Sequence, residues 1–205
     1  MRSARPPFFY RWLSPKYLVC DLPGPDKVIY LTFDDGPIPE ATPEILNILD
    51  QHGAKATFFM VGDNVRKNPE ICQAVLAGGH AAGNHTFHHL SGWRTSPGAY
   101  LYDVERCSEL LPSRLFRPPY GRFTPSQYLL LRKKYRFILW SVLTWDFDRH
   151  TSPEQCLQIA VENTSAGSVV VFHDSLKSIE KVRYALPRFL EHFSQRGFDF
   201  RTIPG

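Results

Sequence analysis

Two adjacent carboxylates, Asp34 and Asp35, end an apolar run and are followed at once by Gly36-Pro37. Ionised neighbours repel and raise each other's pKa, so such a pair calls for a positive charge close by: a cation, a metal or an arginine. A divalent metal would also need neutral nitrogen ligands, most economically a histidine pair at helical spacing. The segment His85-Thr86-Phe87-His88-His89 offers His85 and His89 at i and i+4, which a helical turn would set on one face with His88 pointing away. Taken alone, His-x-x-x-His reads equally well as a histidine-rich surface turn. Beside the Asp pair, two His and one Asp make an oxygen and nitrogen set with positions left open for water and substrate, the pattern of a catalytic rather than a structural zinc.

Other residues could join that chemistry. Arg117 stands in Arg117-Pro118-Pro119-Tyr120-Gly121, where the prolines fix the backbone and remove donors, leaving the amides around Tyr120 and Gly121 free to face a ligand. The bland alternative is a rigid surface turn. His173 follows an apolar run and starts partly buried; its bland alternative is a core histidine bonded to backbone. Asp174 is placed to cap the next segment. Trp140, Trp145, Phe147 and Tyr120 read either as the wall of a sugar-binding groove or as core.

The elements that must position these residues alternate. Residues 28–33 are β-branched, aromatic and continuously apolar, as in a strand covered on both faces. Thr42-Pro43-Glu44 reads as an N-cap with Pro at the first helical position, opening a helix that Gly53 ends. A strand over 55–61 stops at Gly62, and a helix from Asn68-Pro69 turns Ile71, Val75 and Leu76 inward. A small-residue strand over 80–84 leads into His85, and a helix covers 100–111. A strand over 115–117 is followed by a helix from Thr124 through Leu129, Leu130 and Leu131 to Tyr135. Strands over 137–140 and 168–172 flank a helix over 151–164, and an amphipathic helix from Ile179 precedes a last strand near 198–203. Strands alternating with helices predict a parallel α/β sheet, open or closed into a barrel. Asp34, Asp35, Arg117, Asp146 and His173 all follow a strand, the side on which barrel and doubly wound folds carry their sites. The chain is short for eight complete βα units, so the expected fold is a distorted or incomplete (β/α) barrel.

With 205 residues, 43% of them hydrophobic and 14% aromatic, the chain can bury the core of one domain. We expect an N-terminal arm over 1–27, packed by Phe8, Phe9, Tyr10 and Trp12, and a catalytic domain over 28–205. The net charge of +4 is concentrated in the arm, which leaves too little on the main body for a nucleic-acid footprint. Cys20, Cys72, Cys107 and Cys156 lie far apart and read as buried free thiols. No apolar run has signal-peptide or membrane-spanning character, so the expectation is a cytoplasmic monomer.

Thr32-Phe33-Asp34-Asp35-Gly36, His85 to His89, Arg117 to Gly121, Trp140 to Phe147 and Val171-Phe172-His173 resemble, in order and spacing, the motifs of the polysaccharide deacetylases, the NodB-homology domain of carbohydrate esterase family 4. The resemblance implies a distorted (β/α) barrel and a metal-dependent hydrolase that removes N- or O-linked acetyl groups from an acetylated carbohydrate. It implies one divalent ion, Zn2+ first and Co2+, Mn2+ or Ni2+ as alternatives, on Asp35, His85 and His89. It makes Asp34 the general base, Arg117 the group that orients it, Tyr120 the source of an oxyanion-binding amide and His173 the general acid. Pro119, Trp140, Trp145, Asp146 and Phe147 become candidate substrate contacts. One departure stands out: where the fourth motif begins with an Asp that keeps the acid histidine protonated, this chain has Leu143, while Asp146 is retained with Phe147 in place of its usual Trp neighbour. Asp146, Asp148 or Asp174 is therefore expected to contact His173; without such a partner, its pKa and the activity at neutral pH would fall. Two other readings stay open, a glycan-binding protein on a decayed scaffold and a metal amidohydrolase of a small non-sugar amide.

Overall fold

In the structure, a computed structural model describing residues 18–24 and 26–205, the predicted alternation becomes a curved sheet wrapped by helices. Its strands are β1 (Leu18–Val19), β2 (Val28–Asp34), β3 (Ala56–Met60), β4 (Ala81–Asn84), β5 (Leu115–Phe116), β6 (Arg136–Ile138), β7 (Val142–Leu143), β8 (Val169–His173) and β9 (Asp199–Phe200). The helices are α1 (Thr42–Gln51), α2 (Gly62–Lys67), α3 (Pro69–Ala77), α4 (Pro97–Leu110), α5 (Pro125–Leu131), α6 (Pro153–Asn163) and α7 (Ile179–Ser194). The strand order is β1-β6-β5-β4-β3-β2-β8-β7, with β9 added to β2 and every ladder parallel. Parallel strands need long return connections, and here most of these are helical, which buries both sheet faces. The result is the incomplete (β/α) barrel expected from the sequence.

Phe33, Phe58 and Phe172 stack on adjacent strands, and Phe189 of α7 closes over Phe172 at 6.0 Å. Helix α7 buries Ile179, Val182, Leu186, Phe189, Leu190 and Phe193, the stripe its 3.6-residue period lays on one side. The register then sets the chemistry. Asp34 pairs across from Phe59 on β3 and from His173 on β8, so both residues emerge at one sheet edge. β4 ends at Asn84, immediately before His85, and β5 ends immediately before Arg117.

Several local expectations need correction. Residues 85–89 are not a helical turn but an irregular loop, because Thr86 and His89 both take left-handed backbone, at φ 63° and 56°. Gly62 does not merely stop a strand; it opens the unpredicted helix α2. Thr42 is not the cap of α1, which follows Ala41, because its hydroxyl is drawn to Asp174. Leu76 is exposed rather than inward-facing, and Cys20 is only half-buried; all four cysteines are free. Leu18–Val19, assigned to the arm, is an edge strand paired with β6, whereas the packing of Phe8, Phe9, Tyr10 and Trp12 lies outside the described residues.

Candidate active site

Arg117 is fully buried, and each arm of its guanidinium is used. One nitrogen donates to Asp34 Oδ1 at 2.6 Å and to Thr32 Oγ1 at 2.8 Å, while Nε and the other nitrogen donate to the carbonyls of Ile138 and Leu139. Its face lies 4.1 Å from the Phe59 ring centre. Burial lowers the Arg117 pKa and the Asp34 carboxylate counters it, so the positive charge that the Asp pair required sits beside Asp34.

Asp35, the next residue, points elsewhere. Its Oδ1 is 3.2 Å from His89 Nε2 and 3.8 Å from His85 Nε2, and the three ligand atoms lie within 4.8 Å of one another. His85 Nδ1 is 2.7 Å from the Arg117 carbonyl, which can only accept, so the proton belongs on Nδ1 and the Nε2 lone pair faces Asp35. Burial, the largest influence on His85, outweighs Asp34 and Asp35 and lowers its pKa to about 4, keeping the ring neutral as a ligand must be. Burial acts to raise Asp35, yet the hydrogen bond and positive fields of the surrounding imidazoles leave it below the ordinary range. Asp35 Oδ1 is nevertheless buried without a hydrogen bond of proper geometry among the described residues. A buried acceptor facing two imidazole nitrogens fits a divalent cation.

This trio is held by residues that sequence reasoning missed. Asp35 itself sits at φ 88°, a costly conformation for a non-glycine residue, and Asn64 of α2 secures it by donating to its carbonyl at 2.7 Å. Asn84 accepts from the Thr86 amide and donates to the Val104 carbonyl. Asp103 of α4 accepts from the amides of Phe87 and His88 at 2.9 Å and from the His88 ring, which accordingly points away from the ligand trio. The available signal was an acid on an otherwise apolar stripe: Tyr100, Asp103, Val104 and Cys107 form the buried face of α4. Asp103→Ala removes the acceptor of the His88 amide and ring, leaving only the Asp103 main-chain carbonyl to hold the Phe87 amide, and loosens the loop, so it should weaken Zn2+ binding by about 10–100-fold. Competition with a chromogenic chelator measures this directly.

His173 lies across the cleft. Its Nδ1 is 2.7 Å from Asp146 Oδ1, and its amide donates to Asp146 Oδ2 at 2.6 Å. Burial alone would lower the His173 pKa, but Asp146, assisted by the fields of Asp35 and Asp34, raises it to about 10. Of the three carboxylates expected to replace the missing Asp, Asp146 is the one that contacts His173, and Leu143 lines the cleft. Asp174 serves another purpose. It accepts from the Gly36 amide at 2.8 Å and the Thr42 hydroxyl at 2.7 Å, and burial pushes its pKa up to about 8 despite these donors. A side chain at residue 36 would meet Asp174 Oδ2 at 1.8 Å, so only glycine fits beside this tie.

These groups share a cleft of about 660 Å³ walled by Trp140, Trp145, Phe147 and Tyr120. Phe147 packs 4.9 Å from the His173 ring and Tyr120 packs 4.7 Å from that of His89. Two proposed substrate contacts are not on the wall: Pro119 is absent from the lining, where the equally buried Pro118 stands in its place, and Asp146 is fully buried behind His173. At 118–122 the turn consumes the Gly121 and Arg122 amides on the Pro118 and Pro119 carbonyls, but not that of Tyr120. The Gly121 amide is thus not free, contrary to expectation. Among the described residues, the non-glycine residues with positive φ, Asp35, Thr86, His89, Tyr120 and Trp145, lie in or beside this site, as expected where packing enforces a functional geometry.

This chain is similar in sequence and in fold to known proteins. The sequence profile described as "Polysaccharide deacetylase" matches residues 21–137. A peptidoglycan-N-acetylglucosamine deacetylase of Bacillus cereus is 32% identical over 197 residues, which is 91% of each chain. A chitooligosaccharide deacetylase of Bradyrhizobium sp. is 30% identical, over 87% of this chain and 90% of its own. The crystal structure of the Bc1960 peptidoglycan N-acetylglucosamine deacetylase superposes with a TM-score of 0.89 at 29% identity, covering 97% of this chain and 95% of that one.

Proposed function

The chain belongs to the polysaccharide deacetylase family, and from that premise we propose that it hydrolyses an acetyl group from an acetylated carbohydrate at the cleft between Asp34 and His173. The observation that carries this reading is one opening onto which a clamped carboxylate, an acceptor trio fitted to a cation and a carboxylate-paired histidine all face. A divalent ion held by Asp35, His85 and His89 would supply Lewis-acid polarisation of the acyl oxygen and make a water more acidic. Asp34, held in place by the Arg117 guanidinium, takes the proton from the attacking water. The Tyr120 N–H donates to the developing oxyanion. His173 gives up the Nε2 proton to the departing group, since Nδ1–H is held by Asp146, and an amide nitrogen leaves poorly without a proton. Base and acid thus work in opposite environments, one against a guanidinium and one against a carboxylate.

Trp140, Trp145 and Phe147 suit the faces of a sugar chain, which stack on aromatic rings. Zinc is the ion we favour, because the donor set of one carboxylate and two imidazoles is that of catalytic zinc sites. Among the described residues no helix is long and apolar enough to cross a membrane.

A mass-spectrometric screen of acetylated oligosaccharides with Zn2+-loaded protein tests the function. Acetate release should be lost on chelation and return with metal. Release that is indifferent to chelation would overturn the metal-dependent mechanism, and silence across N- and O-acetylated chains would overturn the activity.

A further inference from the structure

Resting on the deacetylase reading, we propose that the substrate is an acidic sugar chain, its negative charge carried close to the reacting acetyl group and met by Arg122 on one side of the cleft and Lys177 on the other. The charges on the cleft wall divide into two kinds. Asp34 is matched by Arg117, His173 by Asp146, and Asp35 faces His85 and His89. Arg122 and Lys177 also line the cleft, yet neither has a carboxylate partner among the described residues. Elsewhere some exposed arginines find acids, as Arg66 does with Asp63, Arg183 with Glu44 and Glu180, and Arg201 with Asp26 and Asp199, and others, such as Arg188 and Arg196, turn to backbone carbonyls; what sets Arg122 and Lys177 apart is their place on the cleft wall. The cleft mouth therefore keeps a positive field that its own chain does not cancel, and a concave low-dielectric wall focuses such a field on what enters.

Arg122 is also pre-organised. Its guanidinium lies 5.0 Å from the Trp93 ring and 5.8 Å from the Tyr120 ring, both aromatics being largely exposed at the mouth. Its backbone is fixed at both ends, the amide donating to Pro119 and the carbonyl accepting from Gly92. A planar guanidinium steadied between rings loses little freedom on engaging an oxyanion, and its fork matches carboxylate or phosphate geometry. Lys177 comes from the loop between β8 and α7, whereas Arg122 follows β5. In the sheet order β5 and β8 lie on opposite sides of β2, which carries Asp34 and Asp35. A chain laid across the reacting point meets a cation on each flank.

The test compares matched N-acetylated oligomers in metal-loaded protein: one bearing sugar carboxylates, its methyl ester, one bearing sugar phosphates, and the neutral chitin oligomer. A charged oligomer should exceed the neutral ones in kcat/KM by roughly fivefold per cation at low salt. The preference should shrink at about 0.5 M salt, where screening is short-ranged. Arg122→Gln and Lys177→Gln should each reduce the ratio of charged to neutral turnover, and Arg122→Lys should restore part of it. Which oxyanion is preferred identifies the acid, and preference for either supports the proposal. Turnover of both the carboxylate and the phosphate oligomer no faster than that of the neutral ones, or Gln variants that slow charged and neutral oligomers alike, would overturn the proposal while leaving the deacetylase reading intact. No acetate from any oligomer would overturn both.

Discussion

Asp34→Asn should lower acetate release by about 10²–10⁴-fold, the range for a lost general base, while leaving the Asp35, His85 and His89 cation site able to bind. Asn keeps the size of the side chain and removes the basic oxygen. It also leaves the buried Arg117 facing a neutral amide, although Thr32, Ile138 and Leu139 still accept from that guanidinium. Breaking one half of a buried pair costs about 3–5 kcal/mol, so the thermal midpoint should fall as well. Circular dichroism at the assay temperature, Zn2+ titration and kcat measured on one preparation separate the effects. A folded, metal-loaded variant that retains acetate release would remove Asp34 from the base role.

Asp146→Asn should be nearly as damaging, through protonation rather than through the base. With its oxygen still accepting from the His173 amide, the new side chain can offer only an NH2 group to Nδ1, which favours a neutral ring. In the native protein His173 is raised to about 10, so its acid form is present at neutral pH and is lost only as pH climbs through that value. Removing Asp146 deletes the main raising influence and leaves burial, which lowers the pKa, opposed only by the weaker fields of Asp35 and Asp34, so the acid form is lost at a lower pH than in the native protein. The alkaline limb of kcat should move to lower pH, and kcat at neutral pH should drop by about 10²–10⁴-fold. A pH profile that coincides with that of the native protein would exclude His173 as the acid.

Much of this protein was legible from residue order. Continuous apolar runs ending in Asp34, Phe116 and Phe172 told of strands buried on both faces, because a parallel sheet covered by helices has no solvent face to alternate with. The placement of Asp34, Asp35, Arg117, Asp146 and His173 after such runs told which end of the sheet carries chemistry. Local periodicity failed where tertiary contacts override it. Leu76 falls on the stripe expected to face inward and is exposed, since α3 buries Ile71, Cys72 and Val75. Thr42 has the residue type of a cap, but a buried carboxylate from the far end of the chain claims its hydroxyl.

Thus the sequence by itself determined the strand and helix alternation and a donor set of two histidines and one Asp of the pair, because these follow from residue type and spacing, while the choice of Asp35 for that set and the candidate roles of Asp34, Arg117 and His173 came from the resemblance of the motifs. Only the tertiary structure decided that the two histidines converge through a left-handed loop rather than a helical turn, and that Asp103, Asn64 and Asn84 hold that geometry. It likewise decided that Asp146, not Asp148 or Asp174, pairs with His173. The physical reason is range: periodicity and propensity report on neighbours within a turn or a strand. Hydrogen bonds such as Gly36 to Asp174, spanning 138 positions, exist only once the sheet has set its register.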